Sequence, residues 1–173
     1  MTRDRDAQIE AEIPGLRRYA FALVRDRDRA DDLVQDCLEH ALSHWPPRPG
    51  RQPEPAELRP WLFTILRNLY ISSYRTRKRR GVDVPIDDDA PLAHPADQEQ
   101  GLIARDALSA LGLLPEEQAS LLLLIGVEDL SYDGAARVLG IPLGTVMSRL
   151  SRARQRLRAL MDREAPPILR RVK

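Results

Sequence analysis

The chain has 173 residues, of which 43% are hydrophobic, 31% charged and 5% aromatic, with a formal net charge of +1. That is enough for one ordinary domain or two small ones, around an aliphatic core of the kind helical bundles use. The single cysteine, Cys37, excludes a disulfide framework, and the longest apolar run, "LLLLIGV" at 121–127, falls well short of the roughly 20 residues that cross a bilayer.

The N-terminus alternates charges without an apolar stretch and does not read as a secretory signal, so a cytoplasmic protein without membrane insertion is expected. Residues 7–45 read as two helices. Leu16, Tyr19, Ala20, Leu23 and Val24 recur at helical spacing in the first. The charged "RDRDRADD" at 25–32 reads as a turn into the second, where Leu33, Cys37 and Ala41 form a stripe with Val34, Leu38, Leu42 and Trp45 beside it. The opposite face carries Asp32, Gln35, Asp36, Glu39 and His40.

Prolines and glycine in "PPRPGRQPEP" at 46–55 predict a loop. A third helix follows, with Pro60 near its first turn and Trp61, Leu62, Ile65, Leu66 and Leu69 on a broad apolar face. It ends in a basic stretch where Tyr70 and Tyr74 interleave with Arg67, Arg75, Arg77, Lys78, Arg79 and Arg80. Residues 81–100 contain no Lys or Arg but carry Asp83, Asp87, Asp88, Asp89, Asp97 and Glu99 among prolines, the composition of a linker.

Beyond it, a short amphipathic helix is predicted at 101–112 and another opened by Pro115, with Glu116 and Glu117 at the positive end of its dipole. Ser131 is a fitting N-cap for a helix from Tyr132 to Leu139, stopped by Gly140. The last helix runs from near Pro142 to about Met161. No strand pattern and no internal repeat is present, so the expected fold is all-α. It comprises two small helical domains, 7–80 and 101–161, joined by a flexible acidic linker at 81–100.

On a helical wheel, Val146, Leu150, Ala153, Leu157 and Leu160 form one stripe of the last helix, while Thr145, Ser148, Arg149, Arg152 and Arg156 lie on the other side. Arg154 and Arg158 complete a cationic stretch without an acid, which a solvated face would normally mix with the opposite sign. A short helix, a glycine turn and this helix make a helix-turn-helix, whose second member enters the major groove. Arginine there can hold a guanine edge or a phosphate with two hydrogen bonds. The basic–aromatic stretch at 67–80 has the composition of a single-strand surface, with Asn68, Ser72, Arg75 and Arg79 on one face.

With these residues, the chain resembles the extracytoplasmic-function (ECF) sigma factors of bacterial RNA polymerase. "DDLVQDCLEHAL" at 31–42 is similar to the family's polymerase-binding helix, and "RPWLFTILRNLYISSYRTRKRR" at 59–80 to its −10 helix. The stretch 114–158 is similar to its −35-reading domain almost throughout, and its "GVEDLSY" phrasing resembles the general-stress subgroup. The resemblance implies three faces. Asp32, Gln35, Asp36 and Glu39 would meet core RNA polymerase, Arg67, Asn68, Ser72 and Arg75 would lie near the −10 strand, and Thr145, Ser148, Arg149, Arg152 and Arg156 would sit at the −35 element. It also implies contacts with the polymerase clamp and flap regions, a linker threaded through the polymerase cleft, a flipped −10 base held at the 46–59 loop, and an anti-sigma factor as partner. Two positions depart from the family pattern: Met147 replaces a common basic residue, and Gly134 a frequent Glu, removing a reciprocal capping box.

Other readings are open. Cys37, His40 and His44 fall on one side of a helix and could ligate zinc, although Cys37 also continues an apolar stripe, and no metal or other cofactor is expected. No phosphate loop or nucleophile motif appears, so no catalytic residue is assigned. A sigma-like decoy that binds an anti-sigma factor, or a one-component helix-turn-helix regulator, would share the C-terminal signature. The decoy would need a further regulatory domain, and the regulator would not need the helices at 31–45 and 59–80.

Overall fold

A computed structural model describes residues 2–45, 54–79 and 106–164. All of their regular structure is helical: α1 (Thr2–Val24), α2 (Arg27–Ser43), α3 (Pro55–Arg79), α4 (106–112), α5 (Glu116–Gly126), α6 (Tyr132–Leu139) and α7 (Leu143–Glu164). The acidic stretch 81–100 and most of the proline-rich loop lie outside the described residues.

The first reversal is tighter than its charges suggest. Arg25 adopts a left-handed φ of 54° and donates its N–H to Phe21 O at 2.7 Å, closing α1. Asp26 then caps α2, its carboxylate accepting the Arg29 N–H at 2.8 Å. Most of "RDRDRADD" is therefore the first turns of α2, because one capped residue suffices to turn the chain.

The start of α3 also differs from expectation. Pro55, not Pro60, takes the first helical position, and Glu54 O accepts the N–H groups of Glu57 and Leu58. Pro60 lies inside the helix and forgoes one backbone bond, while the Thr64 hydroxyl donates to its carbonyl at 2.7 Å.

In the second half, Ser131 Oγ accepts the Gly134 N–H at 3.0 Å and opens α6. The helix closes on Gly140 at φ 64°, with Gly140 N–H bonded to Arg137 O and Ile141 N–H to Ala136 O. This paired-bond ending is a Schellman motif, and it needs a residue free to adopt the left-handed region. Pro142 O accepts the N–H groups of Thr145 and Val146 at the start of α7.

The described residues of the two halves pack against each other. Leu16, Tyr19, Leu62, Phe63 and Leu66 of the first share one continuous apolar core with Leu121, Leu124, Ala135 and Val138 of the second. α6 lies against α3, and a Cβ added to the buried Gly134 would stand 3.4 Å from Pro60 Cγ. Gly134 thus sits where another helix passes closely. Leu42, expected beside the α2 stripe, is 43% exposed instead.

Replacing Gly140 by alanine should cost about 1–2 kcal/mol, the usual penalty for a side chain in the left-handed region. Urea denaturation followed by circular dichroism would measure it, and an unchanged midpoint would contradict the strained cap.

Candidate nucleic-acid and polymerase interfaces

Burial divides α7 as its periodicity predicts. Val146, Leu150 and Ala153 are buried, and Leu157 and Leu160 pack against the core from its edge. Ser148, Arg152, Arg154, Arg156 and Arg158 are exposed, Thr145 and Arg149 half-exposed. The Ser148 hydroxyl donates to Thr145 O at 3.2 Å, and Arg152 Nε to Ser148 O at 3.3 Å, so two of these side chains lie back along the helix. Arg149 Nη1 is ion-paired with Glu117 at the start of α5. Arg149 and Arg152 line a cleft with Pro115, Glu116, Glu117 and Gln118. Met147 is 54% exposed and adds an apolar side chain to this face.

On α3, Asn68, Ser72, Arg75 and Arg79 are exposed, and the rings of Tyr70 and Tyr74 lie 6.2 Å apart beside them. Burial raises the Tyr70 hydroxyl above its usual value, with the nearby Glu116 carboxylate adding to the shift. Arg67 does not share this exposed face. It is buried, and its Nη2 donates to Glu116 Oε2 at 2.9 Å across the junction of the halves. The resemblance that groups Arg67 with Asn68 carries no information on which neighbour packs over it.

On α2, Asp32, Gln35, Asp36 and Glu39 are all exposed, with Gln35 Nε2 donating to Glu39 Oε1 at 3.0 Å. Leu42 stands on the same side of the helix at the i+7 position from Gln35 and extends this surface with an apolar side chain. Cys37 points the other way, fully buried, its thiol directed at Leu62 O at 3.5 Å. His40 and His44 stack on each other at the surface, ring centroids 4.1 Å apart. The helix thus separates the thiol from the two imidazoles, which removes the shared zinc site its spacing allowed.

The junction of the halves holds residues that the sequence reading did not single out. The Glu128 side chain is wholly buried, and Arg18 Nη2 and Arg59 Nη2 approach its Oε2 at 2.8 and 3.0 Å. Arg59 also pairs with Glu12 and lies 5.2 Å from the Phe63 ring centre. A second chain of bonds runs from Tyr19 through Ser120 and Glu116 to Arg67. The Tyr19 hydroxyl donates to Ser120 Oγ at 2.9 Å, which donates to Glu116 Oε1 at 2.8 Å. Burial pushes the Tyr19 hydroxyl far above its usual range, keeping it a neutral donor. Arg25 reaches from the α1–α2 turn to Leu108 O at 3.2 Å and Ser109 Oγ at 3.3 Å. No sequence periodicity marks the contacts that join different helices, because their partners are between 47 and 110 positions apart.

The comparisons agree with this arrangement. The Sigma2 domain of PhyR family matches residues 9–67, and Sigma-70, region 4 matches residues 104–157. The ECF RNA polymerase sigma factor EcfG of Rhodopseudomonas palustris is 40% identical over 154 residues, covering 88% of this chain and 82% of its own. The chain belongs to the ECF RNA polymerase sigma factors. SigM of Bacillus subtilis, another ECF factor, is 29% identical over 153 residues, covering 84% of this chain and 88% of its own. The sigma factor RpoE of Bartonella quintana, solved with the anti-sigma factor NepR, superimposes with a TM-score of 0.76 at 36% identity, over 94% of this chain and 99% of its own. CnrH, solved with the cytosolic domain of CnrY, shares the fold with a TM-score of 0.70 at 24% identity, over 95% of this chain and 92% of its own. This ECF sigma factor directs RNA polymerase to promoters. None of its described helices is long and apolar enough to cross a membrane.

Two predictions follow from the buried groups. A Cβ at Gly15 would stand 2.7 Å from Glu128 Oε2 and 3.3 Å from Arg59 Nη2, so Gly15→Ala should weaken the junction by about 1–3 kcal/mol. Small-angle scattering should then show a larger radius of gyration; an unchanged radius and melting temperature would contradict the close fit. Burial pushes the Cys37 thiol up to about 12 from its ordinary 9. The folded state therefore favours the neutral thiol. That contribution to stability is complete below pH 9 and disappears as pH rises towards 12. A Cys37→Ala variant should lose less stability than the wild type over that window in alkaline denaturation.

Proposed function

We propose that α7 reads the −35 element of promoters, that the exposed C-terminal part of α3 meets the unpaired −10 strand, and that the outer face of α2 docks on core RNA polymerase. The observation that carries the reading is the helix-turn-helix at Tyr132–Glu164. The Schellman turn at Gly140 aims α7 so that Val146, Leu150 and Ala153 are buried while Ser148, Arg152 and Arg156 face outward.

Thr145, Ser148, Arg149, Arg152 and Arg156 form the −35 surface, with hydroxyls near the start of the helix and cations along it. Asn68, Ser72 and Arg75 form the −10 surface, where Tyr74, 47% exposed, offers a ring for stacking on a base. Arg67 joins them only when it leaves Glu116, so engagement of the −10 strand is coupled to loosening of the junction. Asp32, Gln35, Asp36, Glu39 and Leu42 form the polymerase surface. Strand separation draws its free energy from capture of unpaired bases and from polymerase contacts, and the chain has no catalytic role of its own. An anti-sigma factor is the fitting regulator, since a solved relative similar over nearly its whole length is held by one.

Transcription by the purified chain with core polymerase tests the reading: promoter-selective transcripts are expected, and their absence would refute it. Arg149→Ala should weaken −35 recognition by about 1–3 kcal/mol, concentrated at one base pair. Arg156→Ala should lower affinity for all promoters alike and reduce the salt slope by about 1, as loss of one phosphate contact does.

A further inference from the structure

Among the described residues, Arg149 is the one arginine of α7 with a carboxylate partner: Arg152, Arg154, Arg156 and Arg158 have none. That partner, Glu117, comes from the first turn of a different helix. α5 is anchored in the core by Leu121 and Leu124, both wholly buried, so the carboxylate sits on a rigid support. The adjacent Glu116 faces the other way, towards Arg67 and Ser120. The two neighbouring acids thus serve different arginines.

We infer that Glu117 is a positioning residue for −35 recognition: it holds the Arg149 guanidinium so that its free edge reads one base. The inference rests on the assignment of Arg149 to the −35 surface. Glu117 engages only Nη1, leaving the Nε and Nη2 donors without a partner among the described residues. That pair is one of the forks with which a guanidinium can hold two acceptors on a base edge. A free arginine at this position would sample many rotamers and would contact phosphates or bases without preference. Pinned at one nitrogen, it presents one geometry, and immobilisation occurs before DNA arrives rather than on binding. Half-exposure suits this use, since the Arg149 side chain is 34% exposed and its Nη1 is turned to the Glu117 carboxylate, itself 58% exposed, at the start of α5. The contrary effect would be simple neutralisation, in which Glu117 subtracts charge from the DNA-facing surface. The two differ in outcome: positioning changes which base is chosen, whereas neutralisation changes affinity for every sequence equally.

The test uses the full chain with core RNA polymerase and a promoter library randomised over the −35 element, and reads base preference position by position from the transcripts. Wild type should select one base at the Arg149 position, and Arg149→Ala should flatten that preference by roughly tenfold, as loss of a bidentate contact does. Glu117→Ala should flatten the same position several-fold while preferences elsewhere persist. Glu117→Gln, which keeps an acceptor for Nη1, should retain most of the selectivity. An unchanged profile in Glu117→Ala, or a uniform gain in transcription from all sequences, overturns the inference while leaving the −35 assignment intact. Flattening by glutamine as complete as by alanine also overturns it. If Arg149→Ala leaves the profile unchanged, the −35 role of Arg149 fails, and the inference with it. Circular dichroism melting of each variant keeps a folding defect from being read as a change of preference.

Discussion

A carboxylate shut away from water must be met at close range by positive charge, or the fold that buries it is strongly destabilised. Glu128 imposes that condition here. It belongs to the loop between α5 and α6, and its oxygens are met by Arg18 of α1 and Arg59 of α3. The carboxylate comes from one half and both guanidiniums from the other, so the halves can be packed in one relative orientation and few others. Gly15 leaves the space that this approach requires, and Arg59 Nη2 further donates to the Glu128 carbonyl at 2.9 Å. Apolar contact between the halves would be tolerant of sliding, whereas this bidentate set is not.

The same junction bears on the nucleic-acid surfaces. The first turn of α5 carries two acids, and each holds an arginine from a surface assigned to DNA: Glu116 holds Arg67 and Glu117 holds Arg149. Arg67 is buried in the process, whereas Arg149 stays half-exposed. One helix turn of α5 thus pairs with both arginines, one inside the junction and one at its surface. The chain is near neutral overall, yet among the described residues exposed arginines gather on the outer face of α7 and at the end of α3.

What was legible in the sequence was whatever depends on local spacing. The helical count, the Ser131 cap, the Gly140 stop and the inner stripe of α7 follow from neighbours within a turn or two, where periodicity and capping chemistry act. The polar face of α2 was legible for the same reason. The errors were also local in kind. "RDRDRADD" looked like a turn because charge density says nothing about whether a helix has begun. Pro60 lies further inside its helix than the expected start implies, because Pro55 takes the first helical position. Leu42 was set beside the core stripe, when only the packing of α2 on its neighbours decides which flank is covered.

An all-α chain, a helix with one basic face and a helix with one acidic face can be read from residue type alone, because each depends on fixed spacing along a single helix. Packing between helices fixed the rest: Arg67 is withdrawn from the basic surface, Arg149 has a carboxylate beside it, Cys37 faces away from His40 and His44, and Glu128 joins the halves. These are pairings between residues distant along the chain or on opposite sides of one helix. Hydrophobic burial brings the helices together, and desolvation then makes each charge caught between them find its partner.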